Sequence, residues 1–597
     1  MRKFESMYNT NKYDNTEVNV MKIDNSEITE GFENSILYNM DDIINKYESH
    51  NYSSLNRNNI DGSIISTYYD DDKLKHIFLP KSHKMIVGTT GSGKTQSYIM
   101  PYLRIMSTIR NKHSFCISDL KGELYQYLGT HLKKQGYKVK VLNFKDSTKS
   151  DLWNPLRKAY DLYQDYINIE NKVEEKEGDP LLYTNELVKF PKKQPQKWYL
   201  FEGKAYPNKK IVNNVVESIK EKLNVDMEKI IDKVAYSVIK TTSKDPFWSD
   251  SARELFKAII FRLLELSNEN AIDEKKFNLR NIVNIASTYS TDELKEMFSE
   301  VKKGSMADRL SNKIIGISAN VTRDGIFSTL STSVAQFKSF NIQRVTIDDT
   351  LEMSTFDDQP VALFLVMNDL DKECYDIAKL VVTYLYKELS DIADSHVDKK
   401  LSRPFDFVLD EFCNIPTIED FTNMISTSRS KDIWFTFAIQ SYSQLDEKYG
   451  KDTRETILNN TNIEIFFGTN DHKTKIEFSE KCGKKTKISN TCYTNGKDET
   501  IDVYNKETVN IVTNSDLSYI PEDYCYMRIL NYPCMKSKLE RFYKITEFKN
   551  DLASFDECDN LTTLKLSDYY FDFNEYQSKK EKKTFRGMSF DDWFNNN

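Results

Sequence analysis

Glycine and proline are scarce, 18 and 13 of 597 residues. That excludes collagen-like and low-complexity chains. Long apolar runs are missing as well: none approaches the roughly 18–20 residues that cross a bilayer. The start, MRKFESMYNTNKYDN, lacks the apolar core of a secretory signal, so the chain is expected in the cytoplasm. Histidine counts only seven, with neither HExxH nor a Cys/His zinc spacing, which sets zinc catalysis aside. Eight cysteines include no CxxC pair. A Cys482–Cys492 bridge is one option, but at this length and dilution free thiols are expected. A basic excess is also absent: 83 Lys and Arg face 91 Asp and Glu, a net charge of -8. Such a surface does not coat nucleic acid non-specifically, although it leaves room for a local basic channel.

What is present suits a globular chain with a sizeable core: 39% hydrophobic and 29% charged residues. At roughly 150 residues per domain, two to four domains are expected. Residues 1–75, rich in Asn, Asp, Ser and Tyr, read as a weakly ordered arm with a short helix near 36–47. Either plain disorder or partner docking suits such an arm. Residues 76–156 then alternate strand 83–87, helix 96–110, strand 114–118, helix 124–135 and strand 137–144. That spacing predicts a parallel sheet with crossover helices, an α/β fold.

The pattern breaks after Asn154-Pro155-Leu156. Residues 157–322 read as an inserted all-α domain, with helices at 160–175, 212–223, 227–241 and 251–266. A lysine- and proline-rich surface loop is expected at 189–210. Buried-strand runs resume within 323–545, at 361–367, 405–409, 433–439 and 463–467, separated by helices at 378–393, 417–427 and 454–461. Residues 546–597 read as a polar, acidic tail. Its end, Phe590-Asp591-Asp592-Trp593-Phe594, has a composition shared by docking peptides and by ordinary charged tails.

Gly88-Thr89-Thr90-Gly91-Ser92-Gly93-Lys94-Thr95 matches the P-loop pattern GxxxxGK[ST], with a strand before it and a helix after it. Glycines let backbone N–H groups turn inward around phosphates, and the following helix points its positive end at them. Lys94 would bridge the β- and γ-phosphates of ATP, while the Thr95 hydroxyl would ligate Mg²⁺. The run 405–409 ends in Asp410-Glu411. Asp410 would hold Mg²⁺ through water, and Glu411 would orient or deprotonate the attacking water. Gly88, Asp119, Asp410 and Gln440 each follow a strand-like run, so a parallel sheet aligns them along one ligand-binding edge. Gln440 reads either as a residue that senses the γ-phosphate or positions water, or as a polar strand-end residue capping a loop.

Together these residues resemble the type IV coupling proteins, the TraG-like ATPases of conjugation and type IV secretion. The resemblance spans about 80–545. It rests on GTTGSGKT at 88–95, SDLKGELY at 118–125, DLWNPL at 151–156 and DPFWSDSARELFKAI at 245–259. FVLDEFCNIP at 407–416 and FAIQSYSQLDEKYG at 437–450 follow in order. It implies a RecA-like P-loop motor domain interrupted by an all-α domain, active as a hexamer. It also implies ATP-driven recruitment and movement of a relaxase–DNA complex, the DNA expected to be single-stranded. Arg429 matches the family's proposed arginine finger, which neutralises transition-state charge in a neighbouring subunit; a surface arginine is the plainer alternative. Lys121 and Glu123 match the pattern without an evident role, as an ion pair or as part of the nucleotide edge. Family members usually begin with transmembrane helices. Here a separate membrane protein of the secretion channel is expected to supply the anchor and to recruit this chain to the inner face of the membrane, the alternative being a cytoplasmic adaptor-type member. A nucleotide-binding receptor platform with little motor activity and another DNA-pumping P-loop ATPase are the alternatives.

Overall fold

A computed structural model describes residues 20–21, 35–57, 60–191, 195–241, 245–368, 373–495, 499–549, 552–555 and 564–579. The uninterrupted apolar runs become the middle of a ten-stranded sheet. Seven neighbouring strands pair in parallel, in the order Ile463–Gly468, Lys84–Gly88, Ile433–Ile439, Phe405–Leu409, Ser114–Asp119, Val361–Val366 and Lys138–Asn143. Covered on both faces, such strands have no solvent side, which is why they read as continuous hydrophobic runs. Met85 and Val87 enter the core on one face and Ile86 the core on the other. An antiparallel hairpin, Tyr524–Ile529 with Cys534–Lys538, extends the sheet beyond Ile463–Gly468. The two-residue strand Leu37–Tyr38 closes that edge.

Residues 35–79 correct the expected weakly ordered arm. Helix Met40–Lys46 starts with an Asn39/Asp42 capping box, and a three-stranded sheet joins Ser49–Asn51, Lys73–Leu79 and Ser63–Asp70. Ile43, Leu55, Ile65 and Ile77 are fully buried. This N-terminal lobe ends in a charged knot beneath the main sheet. His113 lies between Asp406, 2.5 Å from its Nδ1, and Asp61, 3.1 Å from its Nε2. Lys81 joins Asp61 and Asp432, each at 2.7 Å.

Burial alone would lower His113, but the charges and hydrogen bonds of Asp406 and Asp61 outweigh it, and its pKa is raised. Burial likewise opposes Asp406, whose pKa His113 and Lys84 pull down. The histidine's contribution to stability is therefore full below its unfolded pKa of about 6.5 and is lost as pH rises through the folded value. The aspartate's contribution is lost as pH falls through its depressed value. Asp406→Asn leaves a buried charge uncompensated and is expected to cost about 3–5 kcal/mol at neutral pH. It should also flatten the decline in stability above pH 6.5. Urea midpoints measured across pH check both, and a wild-type midpoint at neutral pH would show that the knot does not stabilise the fold.

The insert also departs from expectation. The two helices expected at 212–223 and 227–241 form one, Lys209–Val238, and the surface loop belongs to a small four-stranded sheet. Glu174–Glu177, Lys197–Phe201 and Lys204–Tyr206 pair antiparallel, with Glu186–Leu187 at one edge. The insert is therefore not all-α. Helix Phe247–Asn268 is its hub, burying Leu255, Phe256, Ile259, Ile260, Leu263 and Leu264. Helix Asn320–Val334 crosses the expected boundary at 322–323, and helical structure continues to Val345.

Part of the expected tail is docked. Tyr569, Phe571 and Phe573 are buried, and the Tyr569 carbonyl accepts from Asn278 and Asn281 of the insert at 3.0 and 2.8 Å. The terminal FDDWF lies outside the described residues, as do the side chains of 488–505. Cys482 is a free thiol whose Sγ is 3.2 Å from that of Cys534.

Candidate nucleotide-binding site

The loop after strand Lys84–Gly88 opens a cleft of about 220 Å³ at the carboxyl edge of the sheet. Its shape depends on three glycines for different reasons. Gly91 and Gly93 have φ of 80° and 103°, which a side chain disfavours. A Cβ on Gly88 would lie 2.4 Å from Ser92 Oγ and 3.2 Å from Lys94 Cγ, so the loop could not close over it. Thr89 N–H donates to the Gly468 carbonyl at 3.0 Å, tying the loop to the neighbouring strand.

From Lys94 the chain enters a wide π-helical turn, Lys94–Ile99, before the α-helix Met100–Met106. Pro101 has no N–H to give the carbonyl of Ser97, so an ordinary α-helical ladder cannot run through this turn. Lys94 Nζ donates to the Gly88 and Thr89 carbonyls at 2.6 and 3.2 Å. Burial lowers its pKa, while Asp410 and Glu411 oppose the shift. The Thr95 hydroxyl donates to Asp410 Oδ2 at 2.8 Å. Asp410 is itself pushed up by burial, against the pull of Thr95 and Lys94. A hydroxyl and a carboxylate side by side are hard oxygen donors, which fits Mg²⁺, an ion that keeps several waters and takes few protein ligands.

Glu411 occupies the left-handed region, φ 52° and ψ 49°, and accepts from Asn414 Nδ2 at 2.5 Å. A non-glycine residue held there points to a local functional constraint. Across the cleft, Asp119 accepts from the N–H groups of Gly122 and Tyr125 at 2.8 and 2.9 Å, building the start of helix Glu123–Lys134. Burial raises its pKa to about 6, against those backbone bonds.

The cleft is lined by Thr89, Thr90, Gly91, Gly93, Lys94, Thr95, Asp410 and Glu411, with Asp119, Lys121 and Glu123 opposite. Gly88 and Ser92 shape the loop from behind. Gln440 does not line the cleft. It ends the strand between those of Gly88 and Asp410, and its N–H is held by Gln444 Oε1 at 3.1 Å. Arg429 is not brought to this cleft. It precedes strand Ile433–Ile439, at the opposite edge, and the seven residues of that strand span roughly 20 Å. Its side chain is exposed, with no hydrogen bond or ion pair among the described residues. Arg541 also lines the cleft. No spacing signals it: it lies well past the last motif, in the turn after Cys534–Lys538.

A P-loop facing an acidic strand end, with one strand inserted between the two, defines the RecA-like P-loop class. Sequence comparison narrows this further. Residues 33–563 match the family described as type IV secretory system conjugative DNA transfer, and the chain belongs to that family. Coupling protein TraD of Escherichia coli (strain K12) is 21% identical over 311 residues, 50% of this chain and 40% of TraD. The chain thus matches less than half the length of that relative. Among solved structures, the conjugative coupling protein TrwB lacking its first 70 residues superposes with a TM-score of 0.50 in an unbound form, at 13% identity over 83% of this chain and 93% of that one. Its sulphate-bound form gives 0.51 at 12% identity, covering 86% and 96%. At such identity the likeness concerns the fold. Among the described residues no helix is long and apolar enough to cross a membrane.

Proposed function

We propose that this chain is an ATP-hydrolysing coupling protein that recruits a DNA–relaxase substrate and drives its DNA, in single-stranded form, toward a conjugative secretion channel. The observation that carries the reading is the meeting of Lys94, Thr95, Asp410 and Glu411 in one cleft, in a chain of the conjugative DNA transfer family. Lys94 would exchange its two carbonyl partners for phosphate oxygens. Thr95 and Asp410 would hold Mg²⁺, which would supply charge neutralisation at the phosphates. Glu411 would take a proton from the attacking water, with Asn414 fixing one carboxylate oxygen. Gln440, one strand from each side of the cleft, would sense the γ-phosphate.

A ring, a hexamer by family resemblance, gives Arg429 its role. At the far edge of the sheet it cannot serve its own cleft, but it is exposed to serve a neighbour's. Mixing Arg429→Ala chains with Glu411→Gln chains, each expected to be inactive alone, should restore part of the turnover, because an intact cleft in one chain then meets an intact arginine in the next; no recovery at any ratio would rule out a finger in trans.

Adding single-stranded DNA to the full chain is expected to raise ATP turnover several-fold. A rate that DNA does not move would favour the receptor platform. Recruitment to the inner face of the membrane would fall to a separate anchor protein; the part of the expected docking arm before residue 35, which apart from 20–21 lies outside the described residues, remains our proposed contact for it.

A further inference from the structure

We propose that Arg541 binds nucleotide within its own subunit, meeting the α- and β-phosphates of ATP or ADP over the Gly93 turn of the P-loop. The proposal rests on the reading of the cleft as a nucleotide site.

The guanidinium lies directly over the P-loop turn. Nη2 and Nε are 3.8 and 4.0 Å from the point where a Cβ on Gly93 would lie. Gly93 has no side chain there, so the arginine faces bare backbone. Two carboxylates hold it from behind: Nη1 is 3.1 Å from Glu522 Oε1, and Nε is 3.5 Å from Asp523 Oδ1. Nε makes no hydrogen bond, and Nη2 has no partner among the described residues. An arginine with a purely structural role would spend more of its five donors on the protein. Here the plane is oriented and part of its donor edge is left toward the cleft.

The position selects the group it meets. Backbone N–H groups of a P-loop cradle the α- and β-phosphates, and the lysine reaches the β- and γ-phosphates. By that pattern Lys94, now on the Gly88 carbonyl, would turn to the β- and γ-phosphates, and the Thr95–Asp410 pair would hold the metal beside them. A cation over Gly93 therefore faces the phosphates that ATP and ADP share, where a charge-assisted hydrogen bond would form. The N-terminal lobe sets its aim. Thr67 pairs with Leu539 and its carbonyl accepts from Glu540 N–H at 3.1 Å, while Ser66 Oγ donates to the Lys538 carbonyl at 3.0 Å.

Two measurements on the full chain test this, with ATP, ADP and Mg²⁺ as probes. In wild-type protein, saturating ATP is expected to protect Arg541 from phenylglyoxal, followed by mass spectrometry. This arm needs no variant to fold. A modification rate unmoved by bound ATP overturns the proposal. Arg541→Gln is expected to weaken ATP and ADP alike by about 10- to 100-fold, with Arg541→Lys between. Binding within twofold of wild type overturns the contact, and a penalty confined to ATP overturns its placement at the phosphates that ATP and ADP share. If wild-type chain bound neither nucleotide, the site reading itself would fail; if it bound both with Arg541 unaffected, only this inference would.

Discussion

Lys94→Ala is expected to abolish the thermal shift that ATP and Mg²⁺ give the wild-type chain, and to lower turnover by about 10²–10³-fold or more. The reason lies in where the cation is kept. Lys94 is buried and is held by the Gly88 and Thr89 carbonyls, neutral acceptors that only partly replace lost hydration. Burial lowers its pKa accordingly. Asp410 and Glu411 offset that burial only in part, and a triphosphate would add the counter-charge that outweighs it, so the lysine contributes most when nucleotide arrives. Without nucleotide, the alanine variant should unfold at nearly the wild-type temperature, because it removes an expensively desolvated charge along with its two bonds. Melting curves with and without ATP separate these effects. A wild-type ATP shift in the variant would refute the assignment of Lys94 to phosphate binding, and normal DNA transfer by it would refute the motor.

Sequence was informative where one physical constraint dictates composition. The parallel strands are covered on both faces, so VALFLV and IWFTFAI announce themselves, and their observed bounds match to within a residue or two. The P-loop is legible because Gly88, Gly91 and Gly93 are each needed for space or for φ. Strands of polar composition were hard to see. The long hairpin Lys484–Asn495 with Glu499–Asn510 is rich in Lys, Thr and Asn, a composition that does not announce a strand. Its sequence clue was the Asn495-Gly496 pair between two β-prone runs. The small sheet of the insert failed for the same reason, since EEKE is a strand only through its pairing with Lys197–Phe201. Long-range partnership hid the rest. Residues 35–79 look polar until their sheet packs on the antiparallel hairpin of the main sheet, and Arg541 acquires meaning only when that hairpin delivers it to Gly93.

Glu411 gives the second large effect, and its backbone makes the test sharper than a charge swap alone. Glu411→Gln keeps the shape of the side chain, and its amide oxygen can still accept from Asn414 Nδ2. ATP should bind and remain, with turnover reduced by about 10²–10⁴-fold, the range expected for loss of a general base. Single-turnover assays should therefore recover intact ATP from the complex, and wild-type turnover would move the base elsewhere. Glu411→Gly separates the two roles of the position. At φ 52° a glutamate carries a conformational cost of about 1 kcal/mol that glycine does not. The glycine variant is expected to gain about that much stability in urea while losing hydrolysis. Loss of both stability and activity would mean that the Asn414 bond outweighs the backbone cost. Retained hydrolysis in the glycine chain would exclude this carboxylate as the base, because no side chain remains at the position to do the work.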